Sequence, residues 1–194
     1  AAGLWSLTQT DPAIVFRDSL KQLQQGNQDA VLEGIKILQD HDGYDSHVAL
    51  LRGGYQLRRG HPDAAMQSFG AVRPDCELRQ PALEMTGECL FLLDQLPLAA
   101  AQFQELLKDN PRSADAHRWL GQIFYNLGAF DTAISHLQEL IELEPDNYLA
   151  HALIGRMAFD FEDFKVAVEN YRKALSMERP DETPSRVHQE VLRN

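Results

Sequence analysis

A chain of 194 residues with 29 acidic against 18 basic side chains carries a formal net charge of −11. That balance argues against a nucleic-acid or anionic-membrane surface as the main partner and weakly favours a neutral or basic protein partner. No stretch approaches the run of about 20 apolar residues that a membrane span needs, and length alone allows one or two globular domains.

The chain opens on Ala1-Ala2-Gly3-Leu4-Trp5-Ser6-Leu7, without a starting methionine. Two readings of residues 1–11 stand: the remainder of a signal or membrane anchor, or an arbitrary boundary followed by ordinary N-terminal residues. Compartment accordingly stays open between cytoplasmic and membrane-tethered extracytoplasmic, for a chain that as given reads as soluble. Asp11-Pro12 then pairs an N-cap with proline at the first helical position, where its missing donor does no harm, and predicts a helix to about Gln25. After Gly26-Asn27, the stripe Val31, Leu32, Ile35, Leu38 predicts a second helix, so 12–45 is a first helix pair. His41-Asp42-Gly43-Tyr44-Asp45-Ser46-His47 follows. Its two histidines and two aspartates invite a metal reading, but the spacing matches neither a helical His pair nor a calcium loop, and the position between two helix pairs calls for turn residues and an N-cap serine.

From residue 46 onward the chain repeats. One constant shift brings Gly53, Gly87, Gly121 and Gly155 into a single column and Ala65, Ala99, Ala133 and Ala167 into another, always twelve residues later. Four residues beyond each alanine stands Phe69, Phe103, Leu137 or Tyr171. Glycine inside a helix costs roughly 1 kcal/mol relative to alanine, so four in register need a packing reason. The expectation is that both small columns let facing helices approach while the large column behind supplies buried area. The units are 46–79, 80–113, 114–147 and 148–181. In the first pair Ser19 replaces the glycine and Ala30 stands one residue early, so 12–45 is a divergent copy.

Within these units, 46–79 is locally basic through Arg52, Arg58, Arg59, Arg73 and Arg79, which reads as a solvated face or a docking patch for an acidic segment. Cys76 falls in an inter-repeat turn and Cys89 inside a helix; they form no CxxC pair, and both free thiols and a disulfide between them are compatible with the sequence. Unit 114–147 ends acidic through Glu139, Glu142, Glu144 and Asp146, against the helix macrodipole. After 148–181, Thr183-Pro184 restarts a helical pattern carrying Val187, Val191 and Leu192. Residues 182–194 read as a capping helix over the last repeat or as the first helix of a further one.

The unit 114–147 holds Leu120-Gly121, Phe124, Gly128, Ala133, Leu137 and Pro145 in the order W-x2-L-G-x2-Y, A-x3-F, P, and the units recur at the family's own period; the chain thereby resembles the tetratricopeptide repeat family. The resemblance covers 46–181 well and 12–45 loosely. Departures are Ala49, Leu83, His117 and His151 in the tryptophan slot, and Glu77 and Arg179 where other copies place Pro111 and Pro145. It implies an all-α, right-handed solenoid of about five helix pairs plus a C-terminal capping helix.

The resemblance also implies a concave groove lined by the first helix of each repeat. Its slots hold Leu50, Gly54, Leu57 and Arg58; Glu84, Glu88, Phe91 and Leu92; Arg118, Gln122, Tyr125 and Asn126; and Ala152, Arg156, Phe159 and Asp160. Phe91, Tyr125 and Phe159 would be anchors, and Arg118 and Arg156 forked donors for a carboxylate or for carbonyls, although Phe91 and Phe159 could equally pack between repeats. The slots that grip chaperone C-terminal carboxylates hold Leu50, Gly54, Met85, Asp115 and Trp119 in one register and Glu84, Glu88, Trp119, Leu149 and Leu153 in the other, which sets that subtype aside.

No nucleophile motif, phosphate loop or metal-ligand spacing stands out, so no catalytic residue, metal or cofactor is assigned. The expected function is a non-enzymatic interaction scaffold that binds a peptide or helix of a partner protein in its groove. A self-associating structural protein, hence a homo-oligomer, is the alternative, an enzyme or enzyme accessory the least favoured reading, and a membrane tether ahead of the chain a further option.

Overall fold

The computed structural model describes residues 11–177, which form ten α-helices and no strand among them. In chain order these are α1 (Pro12–Gln25), α2 (Gln28–Gln39), α3 (Asp45–Arg58), α4 (Pro62–Phe69), α5 (Arg79–Leu92), α6 (Leu96–Asp109), α7 (Ala114–Asn126), α8 (Phe130–Leu143), α9 (Tyr148–Asp160) and α10 (Phe164–Met177). The chain divides into two compact units at Pro111–Arg112, the first built from α1–α6 and the second from α7–α10. In each, successive helices pair as hairpins, the second helix of a hairpin packs on the first helix of the next, and alternate first helices touch, α1 on α3, α3 on α5 and α7 on α9. This is the all-α helical-repeat class that the repeat period implies. The expected segments 1–11 and 182–194 lie, but for Asp11, outside the described residues.

Helix starts follow local chemistry. Asp11 accepts the Ala13 N–H, Asn27 and Ser113 accept those of Ala30 and Ala116, and Asn147 accepts that of Ala150. Each such cap is worth roughly 0.5–2 kcal/mol. Ser46 departs from its expected role: α3 begins at Asp45, after Tyr44, and the buried Ser46 hydroxyl instead accepts the Arg73 N–H at 3.2 Å, tying the start of α3 to the end of its own repeat. His47, inside α3, meets Phe16 edge-on at 4.6 Å and Tyr44 at 4.7 Å, so the His/Asp stretch is part turn and part packed helix.

The turns inside the five hairpins share one register that the sequence reading did not isolate. Gly26, Gly60, Asp94, Gly128 and Glu162 follow one another at the repeat period, and all have positive φ, between 59° and 77°. Three are glycines, for which this conformation carries no Cβ penalty; Asp94 and Glu162 adopt it under strain.

The glycine column is a seat for the large column directly. A Cβ on Gly121 would lie 2.6 Å from Leu137 Cδ2, and the same added atom on Gly53 or Gly87 would strike the rings of Phe69 and Phe103. On Gly155 it would lie 3.0 Å from Tyr171 Cδ1. The expectation that glycine and alanine columns face one another is corrected accordingly: the alanines are fully or nearly buried, while the glycines receive the large side chain sixteen residues on. The first pair inverts the arrangement, with Gly34 of α2 set against Ser19 of α1. Around these seats run the apolar cores of the first unit, one holding Val31, Leu38 and Leu51 and another Phe69 and Cys89, and that of the second, holding Leu137, Leu140, Leu153 and Met157. Cys76 and Cys89 are free thiols, which removes the disulfide reading. Burial pushes the Cys89 thiol up to about 12, with Glu88 and Asp63 adding to it.

Candidate functional site

The first-helix faces of the two units differ in composition and are described separately. In the first unit, Glu84, Glu88 and Phe91 follow one another at four- and three-residue steps on α5, which puts them on one helix face. All three are half-buried, and Leu92 beside them is 55 % exposed. Arg58, exposed, ends the neighbouring α3. Two slots of the implied groove are core instead. Leu50 is buried in the cluster with Phe69, and the place a Cβ of Gly54 would take is filled by Leu23, because the first helix pair packs α1 onto α3 there.

In the second unit, Arg118, Gln122 and Tyr125 occupy one face of α7, turned about 160° from Leu120 at 100° per residue, and Ala152, Arg156 and Phe159 repeat the pattern on α9. Arg118 and Tyr125 are half-buried and Asn126 is exposed; Gln122 is buried. The Arg118 guanidinium donates to Asp115 Oδ1 at 2.9 Å and lies 5.0 Å from the Trp119 ring centroid. Arg156 Nε stands 3.5 Å from Asp160 Oδ2. Both arginines thus pair with an acid of their own helix, in ion pairs whose carboxylates remain largely exposed.

Aromatic rings border this face. Tyr125 meets Phe130 at 6.0 Å between centroids, Phe130 meets Phe161 edge-on at 5.3 Å, and Phe159, 54 % exposed, meets Phe164 at 5.7 Å. The sequence reading did not place Tyr171 here. Burial raises its phenol above the ordinary value, while Arg156 opposes and Asp160 and Tyr125 reinforce the shift, so Tyr125, Arg156, Asp160 and Tyr171 form one electrostatic neighbourhood. A neutral phenol beside a guanidinium and a carboxylate can donate to, or accept from, a backbone amide or side chain.

A second polar feature, also absent from the sequence reading, links the helices of each repeat in this unit. His117 Nδ1 lies 3.1 Å from His136 Nδ1, and one repeat later His151 Nδ1 lies 3.0 Å from Asn170 Oδ1. Burial lowers the pKa of His136, the neighbouring His117 lowers it further, and Glu139 opposes. A shared separation of nineteen residues in two consecutive repeats was the available signal. The structure carries no group of three or more metal-ligating side chains among the described residues, and no helix among them is long and apolar enough to cross a membrane.

A family model described as tetratricopeptide repeat matches residues 93–148 and 127–185. Among solved structures, a crystal structure of MamA is 23 % identical over 82 % of this chain and 93 % of its own, with a TM-score of 0.69. The MamA fragment from residue 41 to the end, from Desulfovibrio magneticus RS-1, is 24 % identical over 90 % and 99 %, with a TM-score of 0.71. A MamA RS-1 double mutant is 25 % identical over 88 % and 96 %, also at 0.71. No curated protein sequence matches the chain.

Proposed function

Since the chain belongs to the tetratricopeptide repeat family, we propose that it is a non-enzymatic protein-interaction scaffold whose first-helix faces bind an extended peptide or a helix of a partner protein. The observation that carries this reading is the face of α7 and α9. Two arginines stand there among half-exposed aromatic rings, each held by an ion pair that is cheap to exchange. A pair between partly exposed side chains contributes about 0–1 kcal/mol, so a partner carboxylate or carbonyl can replace Asp115 or Asp160 at little cost. Tyr125 and Phe159 supply the apolar contact and the arginines the orientation, the division of labour typical of interface hot spots. Glu84, Glu88 and Phe91 make an acidic counterpart on α5, suited to a basic segment. The MamA proteins are similar in fold and lend the scaffold reading their architecture alone.

The test is a crosslinked pull-down from the source cells with the wild-type chain beside an Arg118→Ala, Tyr125→Ala, Arg156→Ala variant of unchanged far-UV circular dichroism and denaturation midpoint. The expected result is capture of a discrete partner by the wild type and its loss in the variant. Equal capture by both would place binding elsewhere and overturn this assignment.

A further inference from the structure

One contact between neighbouring hairpins has a different chemistry in each unit. In the first unit Arg59, just past α3, donates to Oε1 of Gln28, the first residue of α2, at 3.4 Å. Three repeats further on, the same two positions hold Phe161, just past α9, and Phe130, the first residue of α8, and their rings meet edge-on. The repeat accommodates a polar pair at this place, so packing within the fold does not call for phenylalanine. Phe161 is nevertheless 63 % exposed, and Phe164, which meets the exposed Phe159, is 56 % exposed. Leu127, also exposed, precedes Phe130 in the α7–α8 turn. Exposed rings in mutual contact, on an edge that folds without them elsewhere, mark an interaction surface.

The charge around these rings selects the partner. Segments 127–131 and 159–164 contain Asp131, Asp160, Glu162 and Asp163, all exposed, and no lysine or arginine. Arg156 is already paired with Asp160, which leaves Lys165 against the other three carboxylates. Ring faces beside carboxylates suit a lysine or arginine, whose aliphatic stem lies along the apolar surface while its charge meets a ring or an acid. The same carboxylates count against a bilayer, where they would be desolvated without partners. We propose that this edge, built on Phe130, Phe159, Phe161 and Phe164 with Asp131 and Glu162, docks a segment of a partner protein in which lysine or arginine alternates with apolar residues. Phe161, Phe164, Asp131 and Glu162 lie outside the α7 and α9 face assigned above, so either site can fail without the other.

Fluorescence anisotropy with the full chain and a labelled synthetic peptide of alternating leucine and arginine tests it. The wild type should bind this peptide, and should bind one of alternating serine and arginine roughly tenfold or more weakly. Phe161→Ser with Phe164→Ser, both at exposed positions, should weaken the leucine and arginine peptide by a similar factor. Asp131→Lys with Glu162→Lys should weaken it too and shift preference to a peptide of alternating leucine and glutamate, a gain that a misfolded chain would not show. No binding by the wild type, equal binding of the two arginine peptides, an affinity untouched by the phenylalanine substitutions, or a preference unmoved by the charge reversal would each overturn the proposal. So would cosedimentation of the wild type with phosphatidylcholine vesicles, or a concentration-dependent dimer, that disappears with Phe161→Ser and Phe164→Ser. The edge would then belong to a bilayer or to a second copy.

Discussion

Repeats 114–147 and 148–181 follow the same pattern in the same register, yet among the described residues the first is buried more deeply than the second. The large residue facing the column glycine is fully buried as Leu137 in the first and only half-buried as Tyr171 in the second. The hairpin turn is Gly128 in one and Glu162 in the other, at φ 72° and 62°. The polar link between the two helices is His117 with His136 in one and His151 with Asn170 in the other. Each repeat is half of a core; how much of that half is covered depends on the helix that follows it.

The largest expected effect comes from the covered seat. Leu137→Ala empties a fully buried site against Gly121 and should cost roughly 2–5 kcal/mol in denaturant unfolding of the second unit. Tyr171→Ala should cost less, because its ring is only half-buried. Equal losses would break the contrast between the two repeats.

The turn supplies a smaller effect of opposite sign. Glu162→Gly relieves a left-handed conformation and should stabilise the second unit by up to roughly 1 kcal/mol, while Gly128→Glu should destabilise it by a similar amount. A midpoint unmoved by either change would mean that contacts of the Glu162 side chain offset the strain.

The finest contrast is in pH. Burial depresses the His136 pKa in the folded chain below the ordinary value of about 6.5, so the unfolded chain binds the proton more readily. The stability this group contributes is therefore complete above that ordinary value and is lost as pH falls through the lower folded value. Protonating both rings also removes the lone pair on which an Nδ1 to Nδ1 hydrogen bond depends. His136→Asn gives repeat 114–147 the link found in the next repeat and should flatten the fall of the denaturation midpoint between about pH 7 and 5. An unchanged slope would assign the pH dependence to other groups.

The spacing of apolar and small residues makes Arg118, Tyr125, Arg156 and Phe159 legible as one face, since helical period alone sets which residues share a side. Gln122 belongs to that face by spacing and is nevertheless buried; Leu50 and Gly54 belong to the equivalent face of α3 and are core, Leu50 in the cluster with Phe69 and Gly54 beneath Leu23 of α1. Helical period assigns direction, and neighbours assign burial. His136 and Asn170 were within reach, since the separation of nineteen residues from His117 and His151 recurs at the period already found. Tyr171 was read only as a large packing residue, and its electrostatic contact with Arg156 and Tyr125 crosses helices that no local pattern relates.

By itself, the amino-acid sequence determined the period, the hairpins and the columns, because helix formation, capping and close approach at glycine are decided within a short stretch of chain. Tertiary structure decided which large side chain each glycine receives, that Ser46 binds the Arg73 amide rather than capping its helix, and that Asp94 and Glu162 take a glycine's conformation. All of these depend on what the next element brings into contact, and contact between distant segments has no signature in a single sequence.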